Sequence, residues 1–261
     1  MSPVPNFPPP RVAPHLAHAW GGIWRLTFRR QQLPAHWLTL GLGLAVLALL
    51  FIGGAHGGTP AKALDWTIGF YISFLVPALA FMAAGGVMRE EMKSGTVDYV
   101  LTRPVPRPAF VVFKFVAHTL CLQLDFLLAF VLVAFFAASR QVPDLPGVLV
   151  KLFYGQLLLL TAFSALGFLC GAITSRYVVI GLAYAGIIEV GVGQIPTQLS
   201  RLSMTHQVRD LLTTQLGGSA TVTSAPGVFA TTGMLAGFAL VALAVAAAIF
   251  SLRELSGPTD S

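Results

Sequence analysis

Six runs of sequence are nearly free of charge, and each is long enough to cross a bilayer: Trp37–Ala61, Trp66–Met88, Phe115–Ser139, Leu152–Ser175, Tyr177–Ser200 and Val228–Leu252. A hydrocarbon core of about 30 Å needs roughly 20 apolar residues of helix, at about 1.5 Å each. Only Asp125 and Glu189 place a formal charge inside these runs. Charged residues are 10% of the chain, where a soluble domain carries about 25%, so no soluble fold could hide this apolar surface. The sequence therefore reads as an all-α integral membrane protein with six transmembrane helices and no room for a separate soluble catalytic domain. A secreted, disordered or disulfide-framed fold is excluded. Cys121 and Cys170 both lie inside apolar runs and read as small buried hydrophobes, not as a disulfide or metal site.

The net charge of +6 does not require a nucleic acid, because basic residues gather in cytoplasmic loops of membrane proteins. With both termini inside, the cytoplasmic segments hold eleven Lys and Arg (Arg11, Arg25, Arg29, Arg30, Arg89, Lys93, Arg103, Arg107, Lys114, Arg176 and Arg253). The outer segments hold five: Lys62, Arg140, Lys151, Arg201 and Arg209. That asymmetry orients the chain in a plasma (inner) membrane with both ends cytoplasmic.

Residues 1–14 form a proline-rich tail, and the N-terminal region lacks the pattern of a secretory signal. Across 15–33 the pattern changes. Leu16, Trp20, Ile23, Trp24 and Phe28 share one helical face, with His15, His18, Arg25 and Arg29 toward the other. This predicts an amphipathic helix in the cytoplasmic interface, as an elbow orienting the first span or as a plain anchor. The six-span domain then covers 34–255, followed by a short tail at 256–261.

The loop 88–114 concentrates eight of the 26 formal charges: Arg89, Glu90, Glu91, Lys93, Asp98, Arg103, Arg107 and Lys114. Within it Thr96 can cap a short helix that has Asp98 in its first turn. Val97, Val100 and Leu101 share one face of that helix, which must stop before Pro104. Pro104, Pro106 and Pro108 then predict a stiff, extended arm into the third span. A short amphipathic helix so rigidly connected can pass force from a soluble partner to two membrane helices.

The order of these residues resembles the cytoplasmic loop of type-2 ABC transporter permeases: Glu90 and Glu91, Ser94-Gly95-Thr96, a short apolar helix, Arg103-Pro104-Val105-Pro106-Arg107, then Lys114. Pro106 stands where serine is common in that family, and Val97 where leucine or isoleucine is common. The resemblance implies that Glu90, Glu91, Ser94, Gly95, Thr96, Val97, Asp98, Val100, Leu101, Arg103, Pro104 and Arg107 form the coupling element contacting a cytoplasmic ATPase subunit. It also implies a second permease copy, identical or related. The chain carries no phosphate-binding loop, so ATP and Mg belong to the partner and no cofactor is expected here.

Beyond the fifth run, the outer segment 196–227 contains a helix that Thr205 can cap, with Val208, Leu211, Leu212 and Leu216 in a stripe and Gly217-Gly218 ending it. In the resembled family a comparable segment covers the substrate path. A lipid-surface helix would show the same pattern. The pairs Gly167/Gly171, Gly233/Gly237 and Gly53/Gly57 permit close helix approach, chiefly within one chain.

Asp125 and Glu189 both sit near mid-bilayer depth, where a carboxylate costs roughly 2.5–3.5 kcal/mol unless paired, hydrated or protonated. Gln123, Gln156 and His118 are candidate partners for Asp125, which reads as an interhelix bond. Glu189, flanked by Gly186, Gly191 and Gly193, reads as the better translocation-path candidate. His118 lacks the second histidine or serine that an intramembrane enzyme would need. A membrane scaffold without transport, or such an enzyme, is the alternative class. The transported substrate is not written in the sequence, although the scarcity of polar groups in the spans favours amphiphilic cargo or force transmission.

Overall fold

The computed structural model describes residues 16–54, 59–92, 106–192, 203–215 and 227–252, and all of the described secondary structure is helical. In chain order the helices are α1 (Leu16–Gln31), α2 (Pro34–Gly54), α3 (Pro60–Glu91), α4 (Arg107–Ser139) and α5 (Leu145–Ile173). They are followed by α6, an α-helical Tyr177–Tyr184 continued by a π-helical Ala185–Val192, then α7 (Met204–Gln215) and α8 (Val228–Leu252). Five of these are long and apolar enough to cross a membrane: α2, α3, α4, α5 and α8. The run expected at Tyr177–Ser200 is described as helix only to Val192, shorter than a span requires, and 193–202 lie outside the described residues.

Three spans begin well before the apolar runs, where a proline or a preceding turn sets the first helical residues. α3 starts at Pro60, not Trp66, since Thr59 accepts from the Lys62 amide and Pro60 needs no amide partner in the first turn. Lys62 and Asp65 are thus exposed helix residues rather than loop. α4 starts at Arg107, not Phe115. Pro106 precedes it and Pro108 sits in its first turn, so Pro108 belongs to the helix and not to an extended arm. α5 starts at Leu145, not Leu152, after a turn in which Gln141 and Asp144 take positive φ.

Within α3 the nine residues Thr67–Leu75 are π-helical, with the Val76 amide bonding the Tyr71 carbonyl and Ser73 Oγ donating to the Ile68 carbonyl. A wider turn of this kind shifts the facing of everything after it. It also delivers the buried Tyr71 hydroxyl to Gln156 on α5 at 2.7 Å, while Gln156 Nε2 donates to the Phe126 carbonyl on α4 at 3.5 Å. One buried amide therefore ties three spans.

α5 is the axis of the bundle: 78% of its apolar window is buried, against 11% for α2. The closest helix pair is α3 with α5. A Cβ on Gly167 would lie 2.5 Å from the Phe81 carbonyl oxygen, and one on Gly171 would lie 2.6 Å from that of Gly85. Those glycines serve intrachain packing, as expected. Gly233, Gly237 and Gly53 instead face open space, and Gly57 lies outside the described residues. α8 joins α5 through Tyr154 and Thr232, whose hydroxyls bond, and joins α4 through stacked Phe110 and Phe250 rings 5.8 Å apart. Cys121 and Cys170 are not joined in a disulfide, and both are buried in this packing.

α1 forms over the expected residues. Trp20, Trp24 and Phe28 build a ladder of rings, and Trp20 meets Phe113 of α4 edge-on at 5.3 Å. α2 then continues along α4 and packs Phe51 against Phe136 at 4.7 Å, while Trp37, Leu38, Leu42 and Leu49 stay exposed. Such an apolar, unburied surface belongs in lipid or against another membrane chain.

Candidate functional site

Two arrangements of charged residues lie at opposite ends of the helices, each joining segments distant in sequence. The first brackets the connection between α3 and α4. Ser94, Gly95, Thr96, Val97, Asp98, Val100, Leu101, Arg103 and Pro104 lie in 93–105, outside the described residues. The residues on either side are described. Glu90 and Glu91 occupy the last turn of α3, with Glu90 exposed. Glu91 Oε1 meets Lys114 Nζ, two turns into α4, at 2.8 Å, with both side chains 13–14% exposed. Arg107 opens α4 and donates from Nη1 to the Ser251 carbonyl in the last turn of α8, at 3.2 Å. A cation there satisfies an orphan carbonyl and complements the negative end of the helix dipole. Both feet of the loop are therefore fixed, one to α4 and the other to α8.

The second arrangement is built on Glu189. Its Oε1 accepts from the Tyr184 hydroxyl at 3.1 Å and from the Met204 amide at 3.2 Å. Its Oε2 accepts from Ser203 Oγ at 2.6 Å, from the Thr205 amide at 3.2 Å and from the Thr205 hydroxyl. Two of these donors are the first amides of α7, which have no carbonyl partner within their own helix. Glu189 thus clasps the N-terminus of α7, where a carboxylate is favoured by the dipole as well as by the amides. The capping residue is Ser203, whose Oγ accepts from the His206 amide at 3.1 Å; Thr205, expected as the cap, lies inside the helix and donates to Glu189. Val208, Leu211 and Leu212 are buried as the stripe predicted, and Val208 and Leu212 pack over Gly155 of α5. Leu216, Gly217 and Gly218 lie outside the described residues.

Asp125 takes a partner that sequence reasoning did not name. Its Oδ1 lies 3.2 Å from His36 Nε2, in the first turn of α2. Gln123 donates to the Leu157 carbonyl, Gln156 serves Tyr71 and Phe126, and the His118 ring lies 6.0 Å from that of Phe168. The contact of Asp125 with His36 runs between α4 and α2. His36 was legible only as a lone titratable group at the edge of the first span. Tyr184 and Ser203 carried no signal at all beyond ordinary helix and cap preferences.

Among the described residues no group of three or more His, Cys, Asp or Glu is arranged to hold a metal ion. The described residues offer ties between helices and a bracketed loop.

A profile described as ABC-2 family transporter protein matches residues 28–191, from the end of α1 through Glu189 in α6. No curated protein matches the chain. The match covers more than half of the 261 residues, over the same helices whose apolar surfaces demand a bilayer. The chain belongs to the ABC-2 transporter membrane family, as a multi-pass transmembrane subunit.

Proposed function

We propose that this chain is the permease of an ATP-driven exporter in which a separate cytoplasmic ATPase chain drives two permease copies. The observation that carries this reading is the bracketed loop. Glu91–Lys114 joins its two flanking helices directly, and Arg107–Ser251 extends the linkage to α8. A load applied at 93–105 would reach three helices through short, sheltered contacts instead of being absorbed by slack. The family match supports a transporter subunit, and the charge pattern of Glu90, Glu91, Asp98, Arg103 and Arg107 supports a polar partner surface.

In this reading both termini are cytoplasmic, by the eleven-to-five asymmetry of Lys and Arg. α1 is the interfacial elbow and α6, with the residues after it, completes a sixth passage. ATP and Mg bind the partner chain. α7, held by Glu189, lies at the outer face. The exposed flank of α2 is available to lipid or to the second copy.

Val100→Asp tests the proposal, because it charges the expected apolar face of the coupling helix while leaving every span intact. The substituted permease should insert normally yet lose co-purification with the ATPase subunit and lose ATP-dependent activity. Retention of both would remove the loop from the coupling role.

A further inference from the structure

An apolar slot of about 210 Å³ lies between α6, α7 and α8. Its floor is formed by buried Met204, Gln207 and Leu235. Tyr184 and Ile188 stand one turn apart on the α6 wall, and Met234 and Phe238 one turn apart on the α8 wall. Residues four apart lie on one face of a helix, so each wall presents a single face to the slot. Gln207 turns its amide nitrogen to the Met234 sulfur at 3.1 Å, and the Tyr184 hydroxyl is committed to Glu189. The lining is otherwise apolar. A water molecule needs two to four polar partners, whereas apolar cavities of about 150 Å³ accept a benzene-sized guest.

The mouth faces outward. Met234 at the rim is 44% exposed and the neighbouring Ile187 64% exposed, on a protein whose outer apolar surface is bathed in alkyl chains. We propose that this slot holds one acyl chain of a bilayer lipid. A flexible chain can lie between these two apolar walls. Met204 and Met234, both unbranched and flexible, let the walls adapt to it. The five donors on the Glu189 carboxylate leave it engaged, so the slot selects apolar bulk and not a cationic head group. Because Tyr184 and Met204 line the slot and also donate to Glu189, an occupant sits beside the clasp that holds α7. The site requires membrane embedding but not transport.

The full chain, reconstituted in phosphatidylglycerol vesicles containing a trace of the same lipid with a diazirine midway along one acyl chain, provides the test. After illumination, label should be enriched at Ile188 and Phe238 relative to Phe135, an exposed residue of α4 outside the slot. Met234→Trp fills the slot from its rim and Leu235→Phe from its floor. Either substitution should reduce labelling at Ile188 to the Phe135 level while Phe135 itself is unchanged, with detergent melting confirming that each variant is folded. Label at Ile188 equal to that at Phe135 in the unsubstituted chain, or unaffected by both filling substitutions, would mean ordinary boundary lipid and overturn the proposal. So would an unlabelled slot in which Met234→Cys forms a disulfide between two copies, since the second copy would then be the occupant. With the ATPase subunit and ATP added, label that persists during turnover supports a resident lipid, and label that falls would make the occupant a cargo and overturn the proposal. Labelling that follows these expectations without any ATPase stimulation would defeat the exporter reading and leave the slot standing.

Discussion

Glu189→Ala removes one side chain and strands the first turn of α7. Five donors lose their acceptor, but the three hydroxyls can rotate toward other oxygens or water, whereas the Met204 and Thr205 amides cannot. An unsatisfied sheltered amide costs about 1–3 kcal/mol, and the partial exposure of Glu189 argues for the lower end. Loss of the carboxylate from the helix dipole adds about 0.3–1 kcal/mol. The total is about 2–3 kcal/mol, equivalent to a roughly 30- to 150-fold increase in opening of that turn. Hydrogen exchange in nanodiscs reads it directly. Protection should fall by that factor at the amides of Met204 to Gln207. It should remain near the starting level at Leu211 and Leu212, whose side chains stay buried against the bundle. Glu189→Gln, which retains one acceptor oxygen, should show about half the effect in free energy. Unchanged protection of the first turn in Glu189→Ala would refute the clasp. Uniform loss across α7 would refute its local character.

Three further outcomes follow from the packing and the ties. Gly167→Ala should destabilise the bundle by about 1–3 kcal/mol, because its new Cβ meets the Phe81 carbonyl 2.5 Å away, and Gly237→Ala, facing open space, should leave the detergent melting temperature unchanged. Glu91→Gln or Lys114→Met should weaken the tie between α3 and α4 by about 1–2 kcal/mol and reduce ATPase stimulation. The exchanged pair Glu91→Lys with Lys114→Glu should recover part of that stimulation, and failure of every such variant to alter it would separate the ion pair from coupling. Finally, Asp125→Asn and His36→Ala should each lower thermal stability, with a double-mutant coupling of about 1 kcal/mol; additive losses would deny their interaction.

Much of the molecule was legible because hydropathy and helical period are local properties. The membrane class, the aromatic face of α1 and the buried stripe Val208, Leu211 and Leu212 all follow from residue spacing that a helix converts into a face. Helix starts were less legible. A polar first turn such as Pro60-Ala-Lys62 projects beyond the apolar stretch, and a cap at Thr59 determines it more than hydropathy does. The charged loop stood out by its charge and prolines, yet the partners of its flanks did not, since Arg107 reaches a carbonyl 144 residues away.

Tertiary structure alone decided which buried charges are satisfied and by what. Asp125 and Glu189, each the lone acid of an apolar run, looked alike in sequence. One meets a histidine 89 residues earlier, and the other meets the start of a helix 14 to 16 residues later. Gly167/Gly171 and Gly233/Gly237 share one spacing, but the first pair lies against the backbone of α3 and the second faces open space. Spacing states that two glycines share a face. Only the approach of another helix settles whether that face is crowded, because contact depends on the relative placement of segments and not on the identity of either one.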